Sequence, residues 1–171
     1  MKLKEMGEDF SPQYIFRTIA DVTPETLLAA GVKAAAVDID NTLAYDSTLT
    51  LFPDAKDWVR RMRDAGIPLI ILTNTYRLRA KTIGKKLGLP YICKANKPEP
   101  EGYVQCARQL GVDVSALAMI GDQLRTDVRG ANNAGAVSVL VRPRHREILV
   151  GIYYYRIRRL ENIYLKNHGL L

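Results

Sequence analysis

Residues 34–43, Ala-Ala-Ala-Val-Asp-Ile-Asp-Asn-Thr-Leu, decide the fold that we predict for this chain. The apolar run at the start of this stretch has no polar alternation, which is typical of a strand buried on both faces of a parallel sheet. The carboxyl ends of such strands form the edge at which open α/β sheets bind their ligands. Asp38 and Asp40 follow the run directly, and residues two apart in an extended chain point the same way. We therefore expect both carboxylates at a ligand-binding edge.

Two carboxylates so close together repel each other unless a cation holds them. Mg²⁺ suits this position because it prefers oxygen ligands and shares them with phosphate and water. The alternative is a capped turn at a strand end, since Asp, Asn and Thr all favour such turns. Taken alone, the stretch does not separate these two interpretations.

Strands and helices alternate along the rest of the chain. Apolar runs predict four further strands, at residues 67–72, 90–93, 117–120 and 136–141. Helical spacing predicts helices between them, at residues 54–65, 76–87, 99–110 and 124–134. This order implies right-handed crossovers and a central parallel sheet between two helical layers. We predict a three-layer α/β/α, Rossmann-like fold, with Trp58 in its core.

The length of 171 residues and the apolar fraction of 47% fit one globular domain over residues 1–171. Ser11-Pro12 and Thr23-Pro24 each place a capping side chain before a proline, which predicts two short helices between residues 11 and 32. We interpret residues 1–32 as an N-terminal helical segment that covers part of the sheet.

The cysteines and the N-terminus bear on the cellular compartment. Cys93 and Cys106 lack the spacing of metal ligands and are expected to be buried thiols in a reducing environment. The first ten residues lack the apolar core of a secretory signal, and no later apolar run reaches membrane-spanning length. We therefore predict a cytoplasmic protein.

The formal net charge is +7, and most of the excess lies in a basic C-terminal segment, residues 142–171. Arg156, Arg158 and Arg159 lie there beside the three tyrosines at positions 153–155. This pattern suits peripheral contact with the anionic inner face of a membrane. Nucleic acid, which arginine and aromatic side chains also bind, is the less favoured partner. The alternative is an ordinary amphipathic helix packed on its own domain.

The chain also resembles a known family. Residues 38–43, Asp-Ile-Asp-Asn-Thr-Leu, resemble the DxDxT motif of the haloacid-dehalogenase-like (HAD) phosphohydrolases, and later motifs follow in the family's order. Residues 21–24 and 121–127 resemble a narrower branch, the YqeG-like capless enzymes, which are similar to mitochondrial phosphatidylglycerophosphate phosphatases. The resemblance implies a capless HAD fold with an open site, because both positions at which relatives insert cap domains hold only the scaffold's own elements.

The resemblance assigns the chemistry to specific residues. Asp38 would be the nucleophile that forms an aspartyl-phosphate. Asp40 would be the general acid for the leaving group and then the base that activates water, and its backbone carbonyl would bind Mg²⁺. Asp122 would complete the Mg²⁺ shell with Asp38.

Further residues would bind phosphate or support the site. The Thr73 hydroxyl would contact the phosphoryl oxygens, with Asn74 as a candidate helper. Lys97, which precedes Pro98 as in the family's third motif, would neutralise phosphoryl charge, and Lys94 is the alternative. Two supporting residues complete the set: Asp127 would orient the lysine or hold a metal-bound water, and Thr42 would hydrogen-bond within its loop.

These features together predict a Mg²⁺-dependent phosphomonoesterase. An open site suits a large phosphorylated substrate, and the family branch with the basic segment favours a lipid head group such as phosphatidylglycerophosphate. A phosphatase of nucleic-acid ends or phosphoproteins is the second hypothesis. A non-catalytic binding module on the same fold is the third, and it is disfavoured because a scaffold needs none of the acidic and basic site residues.

Overall fold

The computed structural model describes residues 6–144 and 151–170, apart from the side chains of residues 151–154. Within these residues, six strands form one sheet in which every pairing is parallel. In chain order the strands are β1 (Tyr14–Phe16), β2 (Ala34–Val37), β3 (Leu69–Leu72), β4 (Tyr91–Ile92), β5 (Leu117–Gly121) and β6 (Val137–Val141). Their order across the sheet is β1-β6-β5-β2-β3-β4, so β2 lies between β5 and β3.

Helices cover both faces of this sheet. They are α1 (Pro24–Ala29), α2 (Ala55–Asp64), α3 (Arg77–Leu87), α4 (Glu101–Leu110), α5 (Arg129–Ala134) and α6 (Gly151–Asn167). Buried side chains of α1, α2 and α3 share one apolar cluster, and those of α4 and α5 share a second cluster on the other face. The predicted three-layer α/β/α architecture is confirmed.

The sequences of the strands are continuous apolar runs because helices cover both faces of the sheet. All residues of β2, β3, β5 and β6 are buried. Trp58 on α2 is fully buried, as predicted, and its indole Nε1 donates to the Val22 carbonyl oxygen at 3.0 Å. The central sheet is therefore a rigid platform for the residues that follow its strands.

The N-terminal region corrects one prediction. Residues 11–32 do not form two helices: Tyr14–Phe16 is strand β1, a 3₁₀ turn follows at Ile19–Asp21, and only α1 is helical as expected. Thr23 does cap α1, since its side chain accepts from the Thr26 N–H. The first helix fails because β1 pairs with β6, a contact 125 residues distant in the chain, and tertiary pairing outweighs the local capping pattern.

The predicted helix over residues 124–134 is also divided. Leu124–Val128 forms a π-helical turn, and the α-helix occupies only Arg129–Ala134. The wider turn is accompanied by a hydrogen bond from the Gln123 N–H to Asp127 Oδ2 at 3.1 Å. π-Helical turns are rare and frequently occur at functional sites.

The described part of the basic C-terminal segment packs on its own domain. Tyr164 and Leu165 of α6 are buried in a third apolar cluster with Phe10, Leu124 and Leu140. Leu149 and His145, which belong to the predicted segment, lie outside the described residues. The amphipathic-helix alternative therefore holds for α6 from residue 155 onward.

The loops after β2 and β3 contain no cap domain. Residues 38–68 hold a loop and α2, and residues 73–90 hold α3. Both ranges are fully described, so no cap domain covers the cleft from either position, as the sequence predicts. Among the described helices, none combines the length and apolar character needed to cross a membrane.

Candidate active site

The register of the sheet brings three strand ends together. Val37 of β2 pairs with Ile71 of β3 and with Ile120 of β5. The chain therefore leaves all three strands at one edge, where Asp38, Thr73 and Asp122 follow. A cleft of about 230 Å³ opens at this edge, lined by Asp38, Asp40, Asp46, Ser47, Thr73, Asn74, Thr75, Lys97, Gln123, Arg125 and Thr126.

A buried lysine bridges two carboxylates at the base of the cleft. Lys97 Nζ lies 2.9 Å from Asp38 Oδ1 and 2.5 Å from Asp127 Oδ1, and it donates to the Leu72 carbonyl oxygen at 3.1 Å. Burial disfavours the ammonium, but the charges of Asp127 and Asp38 outweigh burial and raise the pKa of Lys97 above its ordinary value. Lys97 is therefore a permanent cation beside the predicted nucleophile.

Lys97, and not Lys94, lies in the cleft. The Asn74 side chain fixes the lysine's main chain, because its Oδ1 accepts from the Lys97 N–H at 2.8 Å and its Nδ2 donates to the Lys97 carbonyl oxygen at 3.1 Å. Lys94 is exposed, and its Nζ lies 6.0 Å from the centre of the Tyr76 ring. The amide of Asn74 is thus engaged with Lys97, and its predicted phosphate contact stays a prediction.

Asp127 belongs to the π-helical turn, and its buried carboxyl group contacts Lys97 at the base of the cleft. Its Oδ1 contacts Lys97 and its Oδ2 accepts from Gln123, so both oxygens have partners. Gly121 leaves the space for this carboxyl group, since a Cβ at that position would overlap it. The position suits the orienting role that the sequence suggests, which stays a prediction.

Asp40 lies in the same cleft but has its own cation. Its Oδ2 accepts from Arg79 Nη1 at 2.8 Å, and its Oδ1 accepts from the Ser47 N–H at 2.9 Å. Burial raises the pKa of Asp40 above its ordinary value, and Arg79 acts in the opposite direction. A raised pKa is what a general acid needs.

The carboxylates of Asp38 and Asp40 therefore do not share one cation. Each is paired with a basic residue, Lys97 and Arg79 respectively. Arg79 also donates from Nε to the Thr48 carbonyl oxygen at 2.9 Å, which ties the loop after β2 to α3. The spacing of residues in the predicted helix 76–87 gives no sign of this contact between Arg79 and Asp40.

The two threonines differ in what they contact. Thr73 is buried at the end of β3, and its Oγ1 accepts from the Thr75 N–H at 3.3 Å, so its hydroxyl proton is available to a ligand. Thr42 is also buried, but its Oγ1 has no hydrogen-bond partner within the described residues. The predicted hydrogen bond from Thr42 to its loop is wrong, because main-chain groups close the turn: Thr42 N–H donates to Ile39.

The environment of Asp122 shows whether the acidic residues of the site fit a divalent cation. Its Oδ1 is buried and has no hydrogen-bond partner in the described part of the chain. Ligand oxygens of Asp38, Asp122 and Asp127 lie within 4.8 Å of one another, and opposite ligands of Mg²⁺ are about 4 Å apart. The oxygen donors fit a hard cation, and with both Asp127 oxygens engaged, Asp38 and Asp122 are the side chains that would hold it. The Asp40 carboxyl group is not in this cluster, and metal binding by its carbonyl oxygen stays a prediction.

A residue of the C-terminal helix completes this side of the site. Arg158 on α6 forms an ion pair with Asp122 Oδ2 and donates from Nη1 to the Asp122 carbonyl oxygen at 2.6 Å. The same Nη1 lies 3.0 Å from Glu161 Oε2. Burial raises the pKa of Asp122 well above its ordinary value, and Arg158 opposes this shift. Helix α6 thus pairs with one carboxylate oxygen of Asp122, and the other oxygen has no hydrogen-bond partner among the described residues.

Substituting Arg158 tests this arrangement. We expect Arg158→Ala to lower the free energy of unfolding by about 2–3 kcal/mol without Mg²⁺, because two buried carboxylates lose their cation. Saturating Mg²⁺ is expected to raise the melting temperature of this variant more than that of the wild type, since the metal replaces the lost charge at Asp122. Thermal denaturation with and without Mg²⁺ measures both effects. Arg159→Ala, exposed on the same helix, is the control, and an equal response of the two variants would contradict the account.

The comparison with protein families identifies the chain. The family model described as a hydrolase, haloacid dehalogenase-like hydrolase, matches residues 5–135. The chain belongs to this family. Several of its curated relatives bear the names of phosphatases. The Probable phosphatase YqeG of Bacillus subtilis (strain 168) is 34% identical over 134 residues, which are 78% of this chain and 78% of the relative. This match confirms the resemblance to the YqeG-like branch.

Two further comparisons involve a more distant sequence relative and a solved structure. Phosphatidylglycerophosphate phosphatase 1, chloroplastic, of Chlamydomonas reinhardtii is 28% identical over 134 residues, 73% of this chain and 50% of the relative. A HAD family hydrolase from Deinococcus radiodurans R1, whose crystal structure contains phosphate and sodium, superposes with a TM-score of 0.57 at 18% identity, over 77% of this chain and 89% of that one. The structural match supports the fold alone.

Proposed function

We propose that this HAD-like enzyme is a Mg²⁺-dependent phosphatase that works through an aspartyl-phosphate on Asp38. The observation that carries the proposal is the position of Asp38, beside the buried Lys97 ammonium and with a carboxylate oxygen within 4.8 Å of a carboxylate oxygen of Asp122. A carboxylate held in this way can attack phosphorus as a nucleophile.

The residues divide the work of two displacements. In the first, Asp38 attacks phosphorus while Asp40 donates its proton to the leaving oxygen. In the second, Asp40 takes a proton from the water that hydrolyses the phosphoenzyme. Arg79 holds the Asp40 carboxyl group at the cleft in both steps.

The phosphoryl group needs positive charge and hydrogen-bond donors around its oxygens. Lys97 supplies a fixed charge, and the Thr73 hydroxyl supplies a neutral donor. Mg²⁺ held by Asp38 and Asp122 would add a Lewis acid that polarises the same oxygens.

We propose a large phosphorylated substrate with an exposed phosphomonoester, and phosphatidylglycerophosphate as the first candidate. The absence of a cap between residues 38 and 68 leaves the cleft open, and one relative bears the name of a phosphatase for this lipid. Arg156 and Arg159 on α6 are exposed, which suits contact of this helix with an anionic membrane surface. This contact and the cytoplasmic location both stay predictions.

Phosphate release tests the proposal. We expect turnover of p-nitrophenyl phosphate and of phosphatidylglycerophosphate in mixed micelles with Mg²⁺, and none after chelation. A short oligonucleotide with a terminal phosphate and a phosphopeptide test the second hypothesis, and faster release from either would redirect the substrate assignment. A folded protein that releases phosphate from no substrate at any Mg²⁺ concentration would refute the proposed function.

A further inference from the structure

Arg125 lies in the wall of the cleft, away from the ion pairs at its base. It belongs to the π-helical turn Leu124–Val128 and lines the cleft with Gln123 and Thr126. Asp46 and Ser47, from the loop after β2, also line the cleft. Arg125 therefore lines the same cleft as Asp38, at which a phosphoryl group would bind.

The backbone at Arg125 is held in place by two contacts. Its N–H donates to Glu161 Oε1 of helix α6 at 3.2 Å. The next residue, Thr126, accepts from the Tyr103 hydroxyl group through its carbonyl oxygen at 2.7 Å. A side chain on a fixed backbone loses less freedom when it binds a ligand.

The guanidinium group of Arg125 has no partner in the described part of the chain. Its Nε is buried without a hydrogen bond, and no ion pair or side-chain hydrogen bond joins it to another described residue. The other basic residues of the site are committed, Lys97 to Asp38 and Asp127, and Arg79 to Asp40. Arg125 is thus the cation of the cleft wall that is free to accept an anion from solution.

A planar guanidinium binds pairs of anionic oxygens, as in a carboxylate or a phosphodiester. We propose that Arg125 forms a subsite for a second anionic group of the substrate, next to the phosphomonoester that Asp38 attacks. This inference rests on the proposed function and extends it: the preferred substrates carry a phosphodiester or carboxylate close to the phosphate that is removed.

Three substrates separate this subsite from general charge attraction. Glycerophosphoglycerophosphate carries a phosphodiester, phosphoglycolate carries a carboxylate, and glycerol 3-phosphate carries no second anion. We expect Arg125→Ala to lower kcat/KM for glycerophosphoglycerophosphate or for phosphoglycolate by about 10- to 100-fold relative to glycerol 3-phosphate. Most of this loss should be a rise in KM. Arg125→Lys is expected to restore part of this preference, because it keeps the charge and loses the planar fork.

Two controls complete the experiment. Arg108→Ala removes the same charge from the exposed face of α4 and is expected to leave the substrate ratio unchanged. Binding of glycerophosphoglycerophosphate to Asp38→Asn protein, measured by calorimetry with and without Arg125→Ala, gives a readout that needs no turnover. An affinity loss of about 10-fold supports the subsite even if the proposed function fails. Equal affinities in this measurement, or an equal fall in kcat/KM for all three substrates, would overturn it.

Discussion

Asp38→Asn is expected to lower kcat for phosphate release by at least about 10⁴-fold while the protein stays folded. The amide has the shape of the carboxyl group but cannot form an acyl phosphate. Lys97 keeps Asp127 as a partner in this variant, so its charge stays compensated. Steady-state phosphate release and the circular dichroism spectrum together measure the effect.

Asp46→Asn is the matched control for that substitution. It removes one negative charge from the same cleft, from a residue that the mechanism does not use. We expect this variant to retain most of the wild-type activity. If both substitutions reduced kcat to the same extent, Asp38 would act through the electrostatics of the cleft and would not be the nucleophile.

Lys97→Met is expected to cost about 3–5 kcal/mol of the free energy of unfolding and to abolish activity. The substitution leaves Asp38 and Asp127 buried without their cation, and the Leu72 carbonyl oxygen loses its donor. Because the pKa of Lys97 is raised, its contribution is fully present below the pKa of an unfolded lysine, about 10.4, and is lost as pH rises through the folded value. The cost measured by urea denaturation should therefore be the same at pH 7 and pH 9.

Lys94→Met provides the comparison, since it makes the same chemical change three residues earlier at an exposed position. We expect it to change stability by less than about 0.5 kcal/mol. Adding Asp127→Asn to Lys97→Met should recover part of the lost stability, because one of the uncompensated charges is then removed. Equal stabilities of the two lysine variants would show that Lys97 is not the buried counterion described above.

The sequence predicted the strands that position this site better than it predicted the contacts between the side chains of the site. The runs at Ala34–Val37, Leu69–Leu72 and Leu117–Gly121 are apolar because the sheet is covered on both faces, so the pattern reports directly on the structure. Residues that follow such strands must meet at one edge. Asp38 and Asp122 were found in this way. Strand β1 was missed, because three residues carry too little pattern and their pairing partner β6 is remote.

The missed functional residues are those that reach the site from remote elements. Arg79 contacts Asp40 across 39 positions of the chain, and Arg158 contacts Asp122 across 36. No local spacing reports such contacts, since they arise from the packing of α3 and α6 against other parts of the domain. The preference for Lys97 over Lys94 came from the Lys-Pro pattern of the family's third motif. The hydrogen bonds between Lys97 and Asn74, by contrast, join residues 23 positions apart, and no local spacing indicates them.

¹⁹F NMR of the protein with beryllium fluoride and Mg²⁺ tests whether Asp38 is the residue that is phosphorylated, since beryllofluoride bound to a carboxylate imitates an aspartyl-phosphate. We predict bound fluorine resonances for the wild type that vanish on chelation of Mg²⁺ and are absent in Asp38→Asn. Asp46→Asn should retain them. Bound resonances that persist in Asp38→Asn, or their absence in a wild-type protein that releases phosphate, would contradict the assignment of Asp38 as the residue that is phosphorylated.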